Sequence, residues 1–337
     1  MEKNKINKKV TMKEIAEMSG VSKATVSMVL NHKDRNISKK TKEKVLKICK
    51  ELNYVPNSIA RSLATKRTNT IGVIIPDITN PFFAEMGRAI EDFAKIKNYN
   101  IILCNTDNLK SKEQEYVRLL VNRFIDGVIL ISGDQDKASI EVLENHGVPF
   151  VLVDRYIDVY DEYYRIYCDN VKGIEMGIDY LCGERKRKKV AFVTGNRELE
   201  ISNMRLDTYK RKCRQYGIYD ESLIYEGDFT LEKGMSITEK ILKNKEIDGI
   251  FYSNDLMALG GLKVLIKSGV KVPQEISIVG YDDIKMASIF EPELTTISQP
   301  VYEMGKKACG VVIDLINGNV LKDRIVTLEP KLIRRNT

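Results

Sequence analysis

The sequence lacks most of the side-chain groupings that would mark it as an enzyme, a metalloprotein or a membrane protein. Its 337 residues contain only two histidines, His32 and His146. Neither belongs to an HExxH motif or a Cys/His ligand spacing, so a zinc site or a histidine-based triad is not expected. Six cysteines (Cys49, Cys104, Cys168, Cys182, Cys213, Cys309) form no CxxC pair and fall mostly in apolar segments, which reads as reduced, packed thiols. No run of apolar residues reaches membrane-spanning length, and the basic start MEKNKINKKV has no apolar h-region, so a cytoplasmic protein with no membrane partner is expected. There is no GxxxxGK[ST] phosphate loop and no GxSxG elbow, which leaves catalysis without a nucleophile or a nucleotide cradle. No cofactor and no metal are expected.

What the chain does have is charge, placed unevenly. Residues 1–67 hold 17 Lys/Arg against 6 Asp/Glu, while residues 68–337 hold 37 against 41. A basic head on a neutral-to-acidic body is the arrangement of a polyanion binder. Within the head, Thr11-Met-Lys-Glu14 reads as a capping box that starts a helix at Met12. Gly20 stops it, Ser22 caps a second helix running to about Leu30, and Ser38 caps a third with Val45, Ile48, Cys49 and Leu52 on one face. Two helices joined across a glycine turn predict a helix-turn-helix, whose second helix presents its N-terminal side chains to base edges in the major groove.

The stretches TMKEIAEMSGVSKATVSMVLN and ISKKTKEKVLKICKELNYVPNSIARSLATKRTNTIGVIIPD resemble the N-terminus of the lactose-repressor/galactose-repressor family of regulators, and the resemblance runs through the whole chain. It implies a DNA-binding head over 1–56, a hinge helix and linker over 57–69, and an effector-binding and dimerisation body over 70–337. By the same resemblance Lys23 and Ala24 occupy the variable base-reading pair. Thr11, Ser22, Thr25, Ser27 and Asn31 stand at phosphate or base-edge positions, and Asn57, Ala60, Arg61 and Leu63 at hinge positions, with the leucine wedged between base steps of the minor groove. Met28 departs from the family's usual arginine and implies an apolar contact in its place, such as one to a thymine methyl.

In the body, TIGVIIP, YNIILC, DGVILIS, PFVLVD, KVAFVTG, DGIFYSN and ISIVGYDD read as buried parallel strands. Helix-length segments at 81–97, 112–123, 204–216, 231–243 and 255–268 separate them. The alternation predicts an α/β architecture of doubly wound sheets in two lobes, with ligand residues just beyond the strand ends. There stand Asn80, Phe82 and Phe83, then Asp154 with Arg155, Asp169, Arg205, Phe229, Asn254, Asp282 and Gln299. Arginine and carboxylates suit sugar hydroxyls and aromatic rings suit sugar C–H faces. The set resembles the ribose-type site of the periplasmic sugar-binding fold that this family shares, with Thr208 in place of a family glycine. The resemblance puts the first lobe at about 70–167 and 297–325 and the second at about 168–296 and 326–337. The run ERKRKK (184–189) reads as a solvated turn rather than a second anion patch.

Together these readings predict a homodimeric, sugar-controlled DNA-binding regulator, a repressor, acting on a pseudo-palindromic double-stranded operator. The alternative within the same family is the catabolite-control type, in which a phosphorylated carrier protein is the corepressor; IEDFAKIKNYNIILCNTD resembles that branch. A sugar-transport protein is disfavoured by the basic head. KLIRRNT adds no heptad helix, so a tetramer built on such an extension is not expected.

Overall fold

Thr11 opens the first helix with both halves of the expected capping box. The Glu14 amide donates to Thr11 Oγ1 at 3.3 Å, and the Thr11 amide donates to Glu14 Oε2 at 2.7 Å. The computed structural model describes residues 10–31, 34–55, 62, 67–131, 137–154 and 163–337. The chain divides into two units, Met1–Thr68 and Asn69–Thr337. In the first, α1 (Met12–Ser19) ends at Gly20, whose φ of 67° is open to glycine without a Cβ penalty. Ser22 then caps α2 (Lys23–Leu30) and Ser38 caps α3 (Lys39–Glu51), each by accepting from the amide three residues on. Ile15, Ala16, Val26, Val29, Val45, Ile48 and Cys49 form the core between the three helices.

The second unit alternates strand and helix. Its first half runs β1 (Thr70–Ile75), α4 (Pro81–Ile96), β2 (Asn100–Asn105), α5 (Lys110–Asn122), β3 (Gly127–Leu130), α6 (Ala138–Asn145), β4 (Phe150–Val153) and β5 (Arg165–Cys168). After α7 (Asn170–Ile178), which continues into a π-helical turn at Asp179–Glu184, come β6 (Val190–Thr194), α8 (Glu200–Gln215) and β7 (Ile224–Glu226). Then follow α9 (Leu231–Ile241), β8 (Gly249–Tyr252), α10 (Asp255–Lys267), β9 (Ser277–Asp282) and β10 (Thr296–Ser298). The chain finishes with α11 (Val301–Ile316), β11 (Ile325–Leu328) and β12 (Lys331–Ile333).

These strands build two sheets of six. The first has the order β11-β5-β4-β3-β1-β2 and is parallel throughout. The second has the order β12-β10-β9-β8-β6-β7, with β12 alone antiparallel, against β10. The centres of both sheets are buried on both faces, which is why β1, β3, β8 and β9 appear in sequence as unbroken apolar runs. Strand order reverses between β1 and β3 in the first sheet and between β6 and β8 in the second, and a ligand crevice belongs at each reversal.

The lobe boundaries need correction. Thr296–Ser298 pairs with β9, so the chain stays in the second lobe past residue 297. Ile325–Leu328 pairs with β5, so it stays in the first lobe past residue 325. β11 is a half-exposed edge strand and β10 has only three residues, so neither gives a lobe signal in the sequence. No helix among the described residues is long and apolar enough to cross a membrane.

Candidate functional site

Between the two sheets lies a small cleft with a cavity volume of about 80 Å³. It sits beyond the carboxyl ends of the strands, where the order reversals place it. Nine of the eleven expected ligand residues line it: Asn80, Phe82, Phe83, Asp154, Arg205, Phe229, Asn254, Asp282 and Gln299.

Arg205, on α8, is 4% exposed and its position is over-determined. Its Nε and Nη2 donate to Asn170 Oδ1 at 2.9 and 2.8 Å, Nη1 donates to the Ser253 carbonyl at 2.7 Å, and the guanidinium lies 4.0 Å from the centre of the Tyr281 ring. Those three bonds leave two of the five guanidinium N–H groups for a ligand. Tyr281 in turn donates to Asn170 Oδ1 at 3.0 Å, and its hydroxyl approaches α7 where Gly173 leaves room; a Cβ there would stand 2.5 Å from that oxygen.

The acceptors face this arginine. Asp282 ends β9 with φ of 119°, and Gln299 Nε2 donates to its Oδ1 at 2.9 Å. Burial, with the neighbouring Asp255 carboxylate, drives the Asp282 pKa well above the ordinary carboxylate range, against the pull of Arg205 and Gln299. The Oε1 of Gln299 is buried with no hydrogen bond from the described residues. Asp154 and Phe229, with φ of 70° and 71°, also lie in the left-handed region. With Asn108, at φ of 58°, four such residues line one cleft, where side-chain aim matters more than local comfort.

Aromatic faces complete the walls. Phe82 and Phe83 meet edge to face, with centroids 5.1 Å apart at 81°. Phe229 lies across Gly195, where a Cβ would come within 1.9 Å of its ring. Two of the lining amides also hold the helices behind them: Asn80 caps α4, accepting from the Phe82 amide at 3.1 Å, and Asn254 caps α10, accepting from the Met257 amide at 3.0 Å. Asn254 Nδ2 ties the loop by donating to the Phe229 carbonyl at 2.9 Å.

Two expected residues fall elsewhere. Asp169 does not line the cleft: it caps α7, accepting from the Lys172 amide at 2.9 Å, and one residue on, Asn170 grips Arg205. A step of one residue at a helix start rotates the side chain by about 100°, enough to exchange the two roles. Arg155 lies outside the described residues, as do Asn57, Ala60, Arg61 and Leu63 of the hinge.

Five cleft residues were missed by the sequence reading: Asp77, Asn108, Ile201, Asp228 and Thr230. Asp77 and Asp228 share a signal that could have found them. Each opens an Asp-x-Thr turn: Asp77 Oδ1 accepts from the Thr79 amide and hydroxyl at 2.8 and 2.7 Å, and Asp228 Oδ1 accepts from the Thr230 amide and hydroxyl at 2.9 and 2.6 Å. One turn precedes α4 and the other α9, so the motif repeats once per lobe.

Elsewhere the plain readings apply. Thr208 returns its hydroxyl to the Met204 carbonyl at 2.9 Å, inside α8. Arg187, in the basic run, donates to Ser277 Oγ and to the Pro273 carbonyl, and Lys189 stands between Asp220 and Glu246. All six cysteines are free and buried, and among the described residues no group of His, Cys, Asp and Glu could hold a metal ion.

In the head, Ser22, Lys23 and Ala24 are exposed at the start of α2, and Met28, 40% exposed, follows Ala24 by one turn. Val26 and Val29 face the core, so the outward stripe of this helix is Lys23, Ala24, Ser27, Met28 and Asn31. Thr11, Ser22 and Thr25 use their hydroxyls in helix caps. Asn31 Nδ2 donates to the Ser27 carbonyl at 2.8 Å.

Residues 11–57 match the family described as bacterial regulatory proteins, lacI family, and residues 178–337 match the periplasmic binding protein-like domain. The HTH-type transcriptional regulator RegA of Clostridium saccharobutylicum is 37% identical over 97% of this chain and 98% of its own length. The ribose operon repressor of Halalkalibacterium halodurans is 34% identical over 97% and 96%. Among solved structures, the lac repressor dimer bound to operator and an anti-inducer superposes with a TM-score of 0.87 at 27% identity, covering 98% of this chain and 99% of that one. A LacI family regulator from Enterococcus faecium with bound ribose gives a TM-score of 0.70 at 29% identity, covering 79% and 97%.

Proposed function

The chain belongs to the lacI family of bacterial regulatory proteins and is a DNA-binding transcriptional regulator, and from that premise we propose that a sugar in the cleft of residues 69–337 sets its affinity for operator DNA. The observation that carries this reading is the pairing of Arg205, fixed by Asn170 and Ser253 with donors to spare, with the buried acceptors Asp282 and Gln299 among three phenylalanines. Such a site supplies donors, acceptors and an apolar face at once, which is the chemistry of a sugar ring.

Sugar binds across the two lobes, favours one lobe arrangement, and shifts operator affinity by the difference in its affinity for the two arrangements. The protein acts as a repressor released by its sugar. Two copies present two heads to a pseudo-palindromic site, since twofold protein symmetry matches twofold DNA symmetry. Residues 57–69 act as the hinge, with Leu63 as the minor-groove wedge. The protein works in the cytoplasm and catalyses no reaction.

Calorimetric titration of the full chain with pentoses and hexoses tests this reading, with a gel-shift readout of operator release. Asp282→Ala is expected to lower sugar affinity by about tenfold or more, because it removes a buried hydrogen-bonding group from the site, while operator affinity stays unchanged. If no sugar gives heat and a phosphorylated carrier protein tightens operator binding instead, the corepressor alternative holds.

A further inference from the structure

The basic run ERKRKK (184–189) stands in a body that is otherwise slightly acidic, and DNA recognition by the head gives it no task. It leads into β6, so it marks the amino end of the second sheet, opposite the carboxyl end that faces the cleft. A groove of about 780 Å³ opens there, between this run and the segment that joins α8 to β7. That volume is within the usual range for a small-molecule site.

The basic wall is held in place. The Asp248 carboxylate accepts from the Lys188 amide at 3.1 and 3.0 Å and from the Lys189 amide at 2.8 Å, while Arg187 turns inward to Ser277 Oγ and the Pro273 carbonyl. Lys186 has φ of 60°, in the left-handed region that a lysine rarely adopts. This clamped backbone leaves the Lys186 and Lys188 side chains exposed, and among the described residues neither ammonium has an ion-pair partner. The acids of the groove are engaged: Asp220 accepts from the Ser222 amide at 3.0 Å and lies 3.7 Å from Lys189, and Glu221 takes Lys210 at 3.3 Å and the Tyr219 hydroxyl. The carboxyl end of α8 has cations of its own, Lys212 and Arg214 in its last turn, and does not call for two more. Positive charge is therefore left over at the groove.

The facing wall is aromatic. Tyr216 and Tyr219 line it, the first anchored by donating to Asp179 Oδ1 at 2.8 Å, the second by the Arg214 guanidinium 4.3 Å from its ring centre. Flat rings beside free ammonium groups match a planar base that carries phosphates, since the base can stack and each phosphate can meet a lysine point charge. We propose that this groove is a second ligand site, for a nucleoside di- or triphosphate, with its base against Tyr216 and Tyr219 and its phosphates on Lys186 and Lys188. The site is separate from the sugar cleft, at the other end of the same sheet.

The test is calorimetric titration of the full-length protein in excess duplex DNA, which occupies the cations of the head, with ATP, GTP, ADP, adenosine and pyrophosphate. At least one nucleotide is expected to bind about tenfold more tightly than adenosine and than pyrophosphate. The double variant Lys186→Ala, Lys188→Ala should weaken that nucleotide by about tenfold or more, and Tyr219→Ala should weaken it while leaving pyrophosphate unchanged. Both should keep the melting temperature and the response to sugar. Asp282→Ala should leave nucleotide affinity in place, because the cleft is not the site. Four results would each overturn the proposal: no heat from any nucleotide, pyrophosphate binding as tightly as the nucleotides, an affinity that survives loss of both lysines, or an affinity lost with Asp282. None of them bears on the sugar reading of the cleft, which the sugar titration tests by itself.

Discussion

Asp255 shows how one buried carboxyl behind the site can tie stability to pH. It is fully buried at the start of α10, where its Oδ1 accepts from the Thr296 hydroxyl at 2.6 Å and its Oδ2 from the Ile284 amide at 2.9 Å. Gly280 leaves the room this needs, since a Cβ there would lie 2.1 Å from Oδ1. Burial pushes the Asp255 pKa up to about 7 from 3.8, against the pull of those two donors. A carboxyl whose folded pKa is raised binds more protons in the folded state, so its contribution is fully present below the unfolded value and is lost as pH rises toward the folded one. The stability difference between the wild type and Asp255→Asn should therefore shrink between pH 5 and pH 8, by at most about 1.4 kcal/mol per unit, in urea unfolding at each pH. A difference that stays flat across that range would mean that the carboxylate is charged throughout. At this scale the sequence was readable where a residue type is rare and committed, as with Arg205, and ambiguous where two neighbours can do the same work. Asp169 and Asn170 could each cap α7 or face the cleft, and only the helix phase decides between them.

Among the elements, most strands that could be read directly are buried on both faces; YNIILC, read as buried, instead forms the half-exposed edge strand β2. TIGVIIP and ISIVGYDD became β1 and β9 because nothing polar can stand in the middle of a covered parallel sheet. The outer strands β7, β11 and β12 are half exposed and carry no such run, β5 is broken by Arg165 and Tyr167, and β10 has only three residues. The loops at the strand ends show the other side of the same rule. β6 leads into Gly195, and the loop after β7 brings Phe229 down onto it. Gly195→Ala should displace that ring, weaken sugar affinity by the equivalent of about 1–3 kcal/mol, and leave the head's operator contacts unchanged. Titration calorimetry beside a gel shift separates the two, and unaltered sugar affinity would show that Phe229 does not touch the ligand.

For the molecule as a whole, charge is partitioned along the chain: the surplus of lysine and arginine lies in residues 1–67, and the remainder is slightly acidic. Operator affinity should accordingly fall steeply as salt rises, because each phosphate neutralised releases counterions, with a log–log slope of about −0.9 per contact. Sugar affinity, set in an enclosed cleft, should scarcely move over the same range. Fluorescence anisotropy across a salt series measures the first and calorimetry the second, and a flat operator curve would contradict recognition by the basic head. The two-lobed architecture was readable from strand number and alternation, whereas the crossings were not, since they depend on which sheet accepts an edge strand.

Those crossings also set the order in which the protein can be completed during its synthesis. The three helices of the head draw their core only from residues near the start of the chain, so they can pack while most of the body is still untranslated. Neither lobe shares that privilege. The first sheet waits for Ile325–Leu328 and the second for Lys331–Ile333, so both acquire their last edge strand long after the head has been made. A message cut short after residue 320 would leave two unfinished sheets with open edges on one nascent chain, the configuration most prone to pairing with a neighbour.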